Sequence, residues 1–110
     1  AMDTLWSDTD QVACLHPGWG PLFGREEVVD SWKAIIRNPD SPEILCHDPH
    51  AHVYGNTAYV ICFEEIGGSF LVATNVFVRD GRLWKMVHHQ AGPTSVRPEV
   101  EESVPPQSVN

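Results

Sequence analysis

The chain has 110 residues, the size of a single domain at the usual allotment of ~100 to 200 residues each. With 42% hydrophobic residues, four Trp and 20% charged residues, it has material for a core and lacks the composition of a disordered segment. Seven Lys and Arg against fifteen Asp and Glu leave a net charge of -8, which repels phosphate backbones and anionic membrane surfaces and removes nucleic acid and membrane from the expected partners.

Cys14, Cys46 and Cys62 form no Cys-x-x-Cys, and their odd number leaves one unpaired in any intrachain scheme. Free buried thiols in a reducing cytoplasm are the expected state. No apolar run approaches the ~18 residues of a membrane span. Ala1 to Asp10 has neither a basic start nor an apolar centre, so no signal peptide is expected.

Along the chain, Met2, Leu5 and Trp6 fall at helical spacing before Ser7-Asp8-Thr9-Asp10 breaks the pattern, so the chain starts with the last turns of a helix. Val12 to Leu15 reads as a short strand, and His16-Pro17-Gly18-Trp19-Gly20-Pro21 as a loop. The spacing of Val28, Val29, Trp32, Ile35 and Ile36 predicts a helix from Arg25 to Asn38. Gly24 serves as its N-cap and Phe23 is expected to staple onto Val28; Glu26 and Glu27 suit the positive end of the helix, Lys33 and Arg37 the negative end, and Pro39 stops it.

After Pro42 the period changes to two, giving strands Glu43 to Tyr54, Thr57 to Ile66, Ser69 to Arg79 and Arg82 to Ala91. Gly55-Asn56, Gly67-Gly68 and Asp80-Gly81 are hairpin connections, so the four runs form an antiparallel meander. Asp48-Pro49 bends or bulges the first run, because Pro cannot donate within a sheet. Phe70 to Val78 is apolar on both faces, and with one full helix able to shield only one face, the other is expected to pack on a second copy of the chain as a homodimer. Thr94 to Asn110, rich in Pro, Ser, Val and Glu and without an aromatic residue, is expected to be a disordered tail after a domain of residues 1–93.

His16, where a strand enters a Gly and Pro loop, is the candidate acid or base, with a loop-holding histidine as the alternative. Trp19 in the same loop and Asn75, a lone amide in an apolar run, are candidate ligand contacts. His88 and His89 point to opposite faces of a strand, so one of the two is the pocket residue, His89 first and His88 if the strand faces the other way. His50 and His52 share a strand face and form a weaker zinc reading with no third ligand set by spacing; the reading calls for no metal and no cofactor. Glu64 and Glu65, near a strand end, are expected in solvent, and Cys14 and Cys62 in the core as inert thiols.

Met2-x-x-Leu5-Trp6, His16-Pro17-Gly18-Trp19, Gly24-Arg25-Glu26, Ser31-Trp32, Thr74-Asn75-Val76-Phe77 and Asp80-Gly81-x-x-Trp84-Lys85-Met86-Val87-His88-His89 together resemble a SnoaL-like domain of the nuclear transport factor 2-like (ketosteroid isomerase-like) superfamily. The resemblance implies an α+β fold, a cone-shaped curved antiparallel sheet packed on helices around an apolar pocket, commonly a homodimer, with most of the long first helix absent from this chain. It places His16-Pro17 where ketosteroid isomerase has a catalytic Asp before a Pro. It also admits noncatalytic members such as the kinase association domain, whose last strand has an Arg where this chain has Ala91. The reading is therefore a pocket for a small apolar molecule, with isomerisation, dehydration or hydrolysis as the candidate chemistry and a homodimeric assembly domain as the alternative.

Overall fold

The computed structural model describes residues 2–40 and 43–98. Helix α1 (Met2–Leu5) and a crossing to β1 (Ala13–Leu15) are followed by β2 (Leu22–Phe23), helix α2 (Arg25–Arg37) and four long strands, β3 (Ile44–Tyr54), β4 (Thr57–Ile66), β5 (Ser69–Asp80) and β6 (Leu83–Pro93). Among the described residues the strands form one sheet in the order β2-β1-β6-β5-β4-β3. The meander of β3 to β6 is antiparallel as the turn residues require, whereas β1 joins the edge of β6 in parallel, so the sheet is mixed.

The hairpin connections rest on positive backbone angles that favour glycine, at Gly55 (φ 59°) and Gly67 (φ 58°). Strand β5 runs one residue further than its sequence pattern suggests, to Asp80, while β6 starts one residue later, at Leu83, and ends two later, at Pro93, so the last tight turn is Gly81-Arg82 rather than Asp80-Gly81. The expected irregularity at Asp48-Pro49 is present: the β3–β4 register shifts between His47 and His50, and Asp48 takes φ 56°.

Helix α2 covers one side of the β1 end of the sheet. Its first turn is capped without a side chain at Gly24; instead Glu27 reaches back to accept from the Phe23 N–H at 3.2 Å, and the Gly24 N–H donates to the Val12 carbonyl at 3.0 Å. The expected staple from Phe23 does not form, because Phe23 is 67% exposed; its neighbour Leu22 turns to the core instead, as alternation along β2 dictates.

The core gathers Trp6, Val12, Cys14, Val28, Val29 and Met86, so the helix stripe, both short strands and the chain start bury one another. Arg25 locks this corner: its guanidinium donates to the Trp6 and Ser7 carbonyls at 2.9 Å each and to the Asp3 carbonyl at 2.8 Å. One fork thus satisfies three carbonyls at and just after the C-terminal end of α1, the place where a helix lacks internal partners and attracts a cation. A second cluster, Cys62, Leu71, Ala73 and Ala91, fills the inner face further along the meander.

Partner residues across the strands share a face, which sorts the sheet. Cys62, Ala73 and Ala91 are opposite one another on the inner face, as are Val60, Asn75 and His89. Tyr59, Ile61 and Phe63 of β4 and Val72, Val76 and Val78 of β5 lie on the outer face, where Tyr59 stacks between His52 and Tyr54 at ring distances of 4.9 and 6.3 Å. Beyond β6, the Thr94 N–H donates to Phe70 O and Arg97 lies 4.9 Å over the Phe70 ring, so the chain keeps to the sheet as far as residue 98; the rest of the expected disordered tail, residues 99–110, lies outside the described residues.

Candidate functional site

Strand β1 ends at Leu15, and the turn that begins at His16 returns its own carbonyl to the Trp19 N–H at 3.0 Å. This holds the His16 ring between β1 and α2, where it is 4% exposed. The Ser31 hydroxyl, one helical turn after Val28, donates to the Val28 carbonyl at 2.7 Å and therefore accepts from His16 Nε2–H at 2.9 Å. That fixes the tautomer: the proton of His16 sits on Nε2 and Nδ1 keeps a lone pair. Trp19 and Trp32 present edges to the imidazole, each at a ring distance of 4.7 Å. Cys14 Sγ lies 3.6 Å from Nε2 and 4.0 Å from Nδ1.

His89 is 3% exposed, its ring 6.3 Å from that of His16 and 5.2 Å from that of Trp32. The register puts Asn75 beside it, and His89 Nδ1–H donates to Asn75 Oδ1 at 2.6 Å. The lone amide of the apolar strand is thus spent on orienting an imidazole. Burial lowers the pKa of both histidines; His89, which also faces the charge of His16 and then of His88, falls to about 4. At neutral pH the pair is uncharged, with each ring holding one lone pair free of the hydrogen bonds described.

Both rings line one recess of about 180 Å³ on the inner side of the sheet, closed by Trp32 and Leu71 and edged by Trp19 and Ile44, which are 50% and 42% exposed. Glu64 stands on the same wall. The expectation that Glu64 stands in solvent is overturned: it shares the inner face with Leu71, its cross-strand partner, and burial raises its carboxyl above the ordinary value. Its neighbour Glu65 takes the outer face and pairs with His47 at 2.9 Å.

The other expected residues divide by the same alternation. His88 is opposite Val76 on the outer face, away from His89, so His16, Trp19, Asn75 and His89 come together and His88 does not join them. His50 is bound to Asp48 at 3.1 Å and His52 is stacked on Tyr59, and among the described residues no three His, Cys, Asp or Glu side chains gather as a metal site would need. The zinc reading of His50 and His52 thus lacks its third ligand. Cys14 and Cys62 are buried, their thiols pushed up by desolvation to about 11 and about 12, while Cys46 is exposed, contrary to the expectation for all three.

Sequence reasoning missed Ser31, Trp32 and Glu64 as site residues. Trp32 belongs to the apolar stripe of α2 and reads as core; it packs on the core cluster and also walls the recess. Ser31 has a signal only in retrospect, as the one hydroxyl within a buried helix turn. Among the described residues no helix is long and apolar enough to cross a membrane.

The family model of the SnoaL-like domain matches residues 1–94. The F-box protein SKIP8 of Arabidopsis thaliana is 34% identical over 95 residues, 83% of this chain; the chain spans 40% of that protein's length. Among solved structures, a candidate dehydratase of the NTF2-like family from Streptomyces avermitilis is 39% identical with a TM-score of 0.69, over 77% of this chain and 67% of that one. A candidate calcium/calmodulin-dependent protein kinase type II association domain from Thiobacillus denitrificans is 28% identical with a TM-score of 0.71, over 86% of this chain and 83% of the other. With its mixed curved sheet, covering helix and a family match across nearly all the described residues, the chain belongs to the SnoaL-like family of NTF2-like folds.

Proposed function

We propose that the recess between α2 and the inner sheet face binds a small, largely apolar molecule and that His16 acts there as general base or acid, in an isomerisation, dehydration or hydrolysis. The observation that carries this reading is the pair of buried, uncharged imidazoles on one apolar recess, each oriented by a second residue, Ser31 or Asn75. Orientation by a partner is what an acid-base group needs, because it fixes which nitrogen meets the substrate. The 39% identity to a candidate dehydratase supports the same chemistry. The recess is below the usual range of ligand pockets, and ~150 Å³ suffices for a benzene ring, so a monocyclic ligand fits its scale.

A panel of acetophenone, cyclohexanone and benzyl alcohol tests the pocket by NMR. Binders are expected to shift the ring ¹⁵N signals of His16 and His89 and to weaken on Trp19→Ala. A panel that leaves both rings unmoved removes the reading. For any panel member found to be converted, His16→Gln is expected to slow turnover ~10²- to 10⁴-fold with the fold intact.

A second reading, a homodimeric assembly domain, is favoured by the outer sheet face, where Tyr59, Ile61, Phe63, Val72, Val76 and Val78 stand together and, among the described residues, no helix covers them. Likeness to an association domain supports it. The two readings are compatible, since one uses the inner face and the other the outer. Sedimentation is expected to find a dimer at micromolar concentration and a monomer for the double variant Val72→Lys, Val76→Lys; a monomeric wild type would dispose of the assembly role.

A further inference from the structure

Four of the six histidines stand together on the outer face of the sheet. The register sets His47 opposite Phe63, His50 opposite Ile61 and His52 opposite Tyr59 along β3 and β4, and His88 opposite Val76 on β6, so all four border the apolar residues of that face. Two of them are already partnered. His47 bonds to Glu65 at 2.9 Å and His50 to Asp48 at 3.1 Å, so a proton gained by either lies against a carboxylate. His52 and His88 have no acidic partner among the described residues. His52 lies flat against the Tyr59 ring, whose other neighbour is Tyr54; His88 has Val76 on one side and Ala13 of β1 on the other. Other charges sit at the ends of the face: Lys85, opposite Val78 and held to the Thr4 carbonyl at 2.6 Å, with Asp80 exposed at the hairpin, and Arg97 over Phe70 at the far end.

Resting on the assembly reading above, we infer that His52 and His88 make the outer face a pH-gated interface: uncharged, they let a second copy of the chain cover it, and protonated, they drive the copies apart. A second copy is the occupant that the charge pattern favours. Most of the surface of a chain of net charge -8 repels its own kind, whereas Glu65 and Asp48 beside this apolar patch are each bonded to a histidine. A two-fold contact brings the same patch from each side, so the two protonated rings of one copy become four cations in one apolar interface without a counter-charge. Covering the face disfavours the charged imidazoles. Protons therefore favour the separated copies, and the dimer weakens as pH falls through the histidine range.

Sedimentation equilibrium of the full chain at pH 7.5 and pH 5.5 reads this directly. The dimer dissociation constant of wild type is expected to rise at least ~tenfold at the lower pH, which asks only ~1.4 kcal/mol of the four imidazoles together. In the double variant His52→Gln, His88→Gln it is expected to change less than ~threefold. The buried histidines His16 and His89 are the same in both proteins, so any loss of stability they cause in acid is common to both, and circular dichroism at each pH reports the fold. A wild-type dimer that holds equally well at both values overturns the switch and leaves the assembly reading standing; so does a double variant that weakens as much as wild type. A wild type that is monomeric at pH 7.5 overturns the assembly reading and the switch with it.

Discussion

Trp6→Ala is expected to remove ~3 to 5 kcal/mol of stability, the cost of deleting a large aromatic from a packed core. Trp6 is fully buried and is the largest side chain in the core, packed with Val12, Val28 and Met86 although it follows a helix of only four residues. Its backbone is equally committed, through an isolated bridge to Met86 and a carbonyl held by Arg25. For a domain whose total stability is typically ~5 to 15 kcal/mol, such a loss leaves little, and each ~1 kcal/mol lowers the melting temperature by roughly 4 to 8 °C. Trp6→Phe is expected to cost much less. It keeps an aromatic ring and removes an indole N–H that is buried without a partner among the described residues, so no hydrogen bond is sacrificed. Urea unfolding of the three proteins checks this; a Trp6→Ala protein within ~1 kcal/mol of wild type would mean that the chain start is not part of the core.

Stability is expected to fall as pH is lowered from 6.5 toward 4, with His89 as the largest single cause. The folded state holds His89 at about 4 against an ordinary value of 6.5, so between these values the unfolded chain binds the proton and the folded chain does not. Protons therefore favour unfolding in that window. The stability is fully present above 6.5, declines through the window, and the penalty levels off below about 4. The shift corresponds to roughly 3 kcal/mol at ~1.4 kcal/mol per unit. His16, also lowered by burial, acts in the same direction. Glu64 acts in the opposite one: its raised carboxyl makes the folded state lose ground as pH rises from the ordinary 4.5 through its folded value. The contribution of His89 is isolated by comparing wild type with His89→Gln in urea at pH 7 and pH 4.5. The variant is expected to lose markedly less stability between the two; equal losses would place the acid sensitivity elsewhere.

Much of this fold was legible in the sequence because its signals are local. The period-two runs, the Gly-centred turns and the i, i+4, i+7 stripe of α2 each specify their element within a few residues. Asp48-Pro49 announced its bulge for the same reason, a missing donor. What the sequence did not carry was the parallel docking of β1 against β6, which depends on contacts some 75 residues apart. The same long-range pairing decides the faces. His89 and Asn75 reach the recess because the β5–β6 register shifts after Val76, and a neighbour such as His88 is turned outward by alternation alone. Glu64 was misplaced by judging it from its position near a strand end rather than from its face. Ser31 reads as an ordinary helix residue until the loop after β1 folds His16 against it.

The central claim is that His16 and His89 form one uncharged, oriented pair facing a ligand-sized recess. The most direct test is an NMR titration of the histidine ring ¹⁵N signals in free protein and in protein saturated with acetophenone. The account predicts that His89 titrates near 4 and His16 below the ordinary range, with His16 protonated on Nε2 and His89 on Nδ1, and that both signals move when acetophenone is added. Two histidines titrating at 6.5, with tautomers unrelated to Ser31 and Asn75 and no response to the probe, would contradict it.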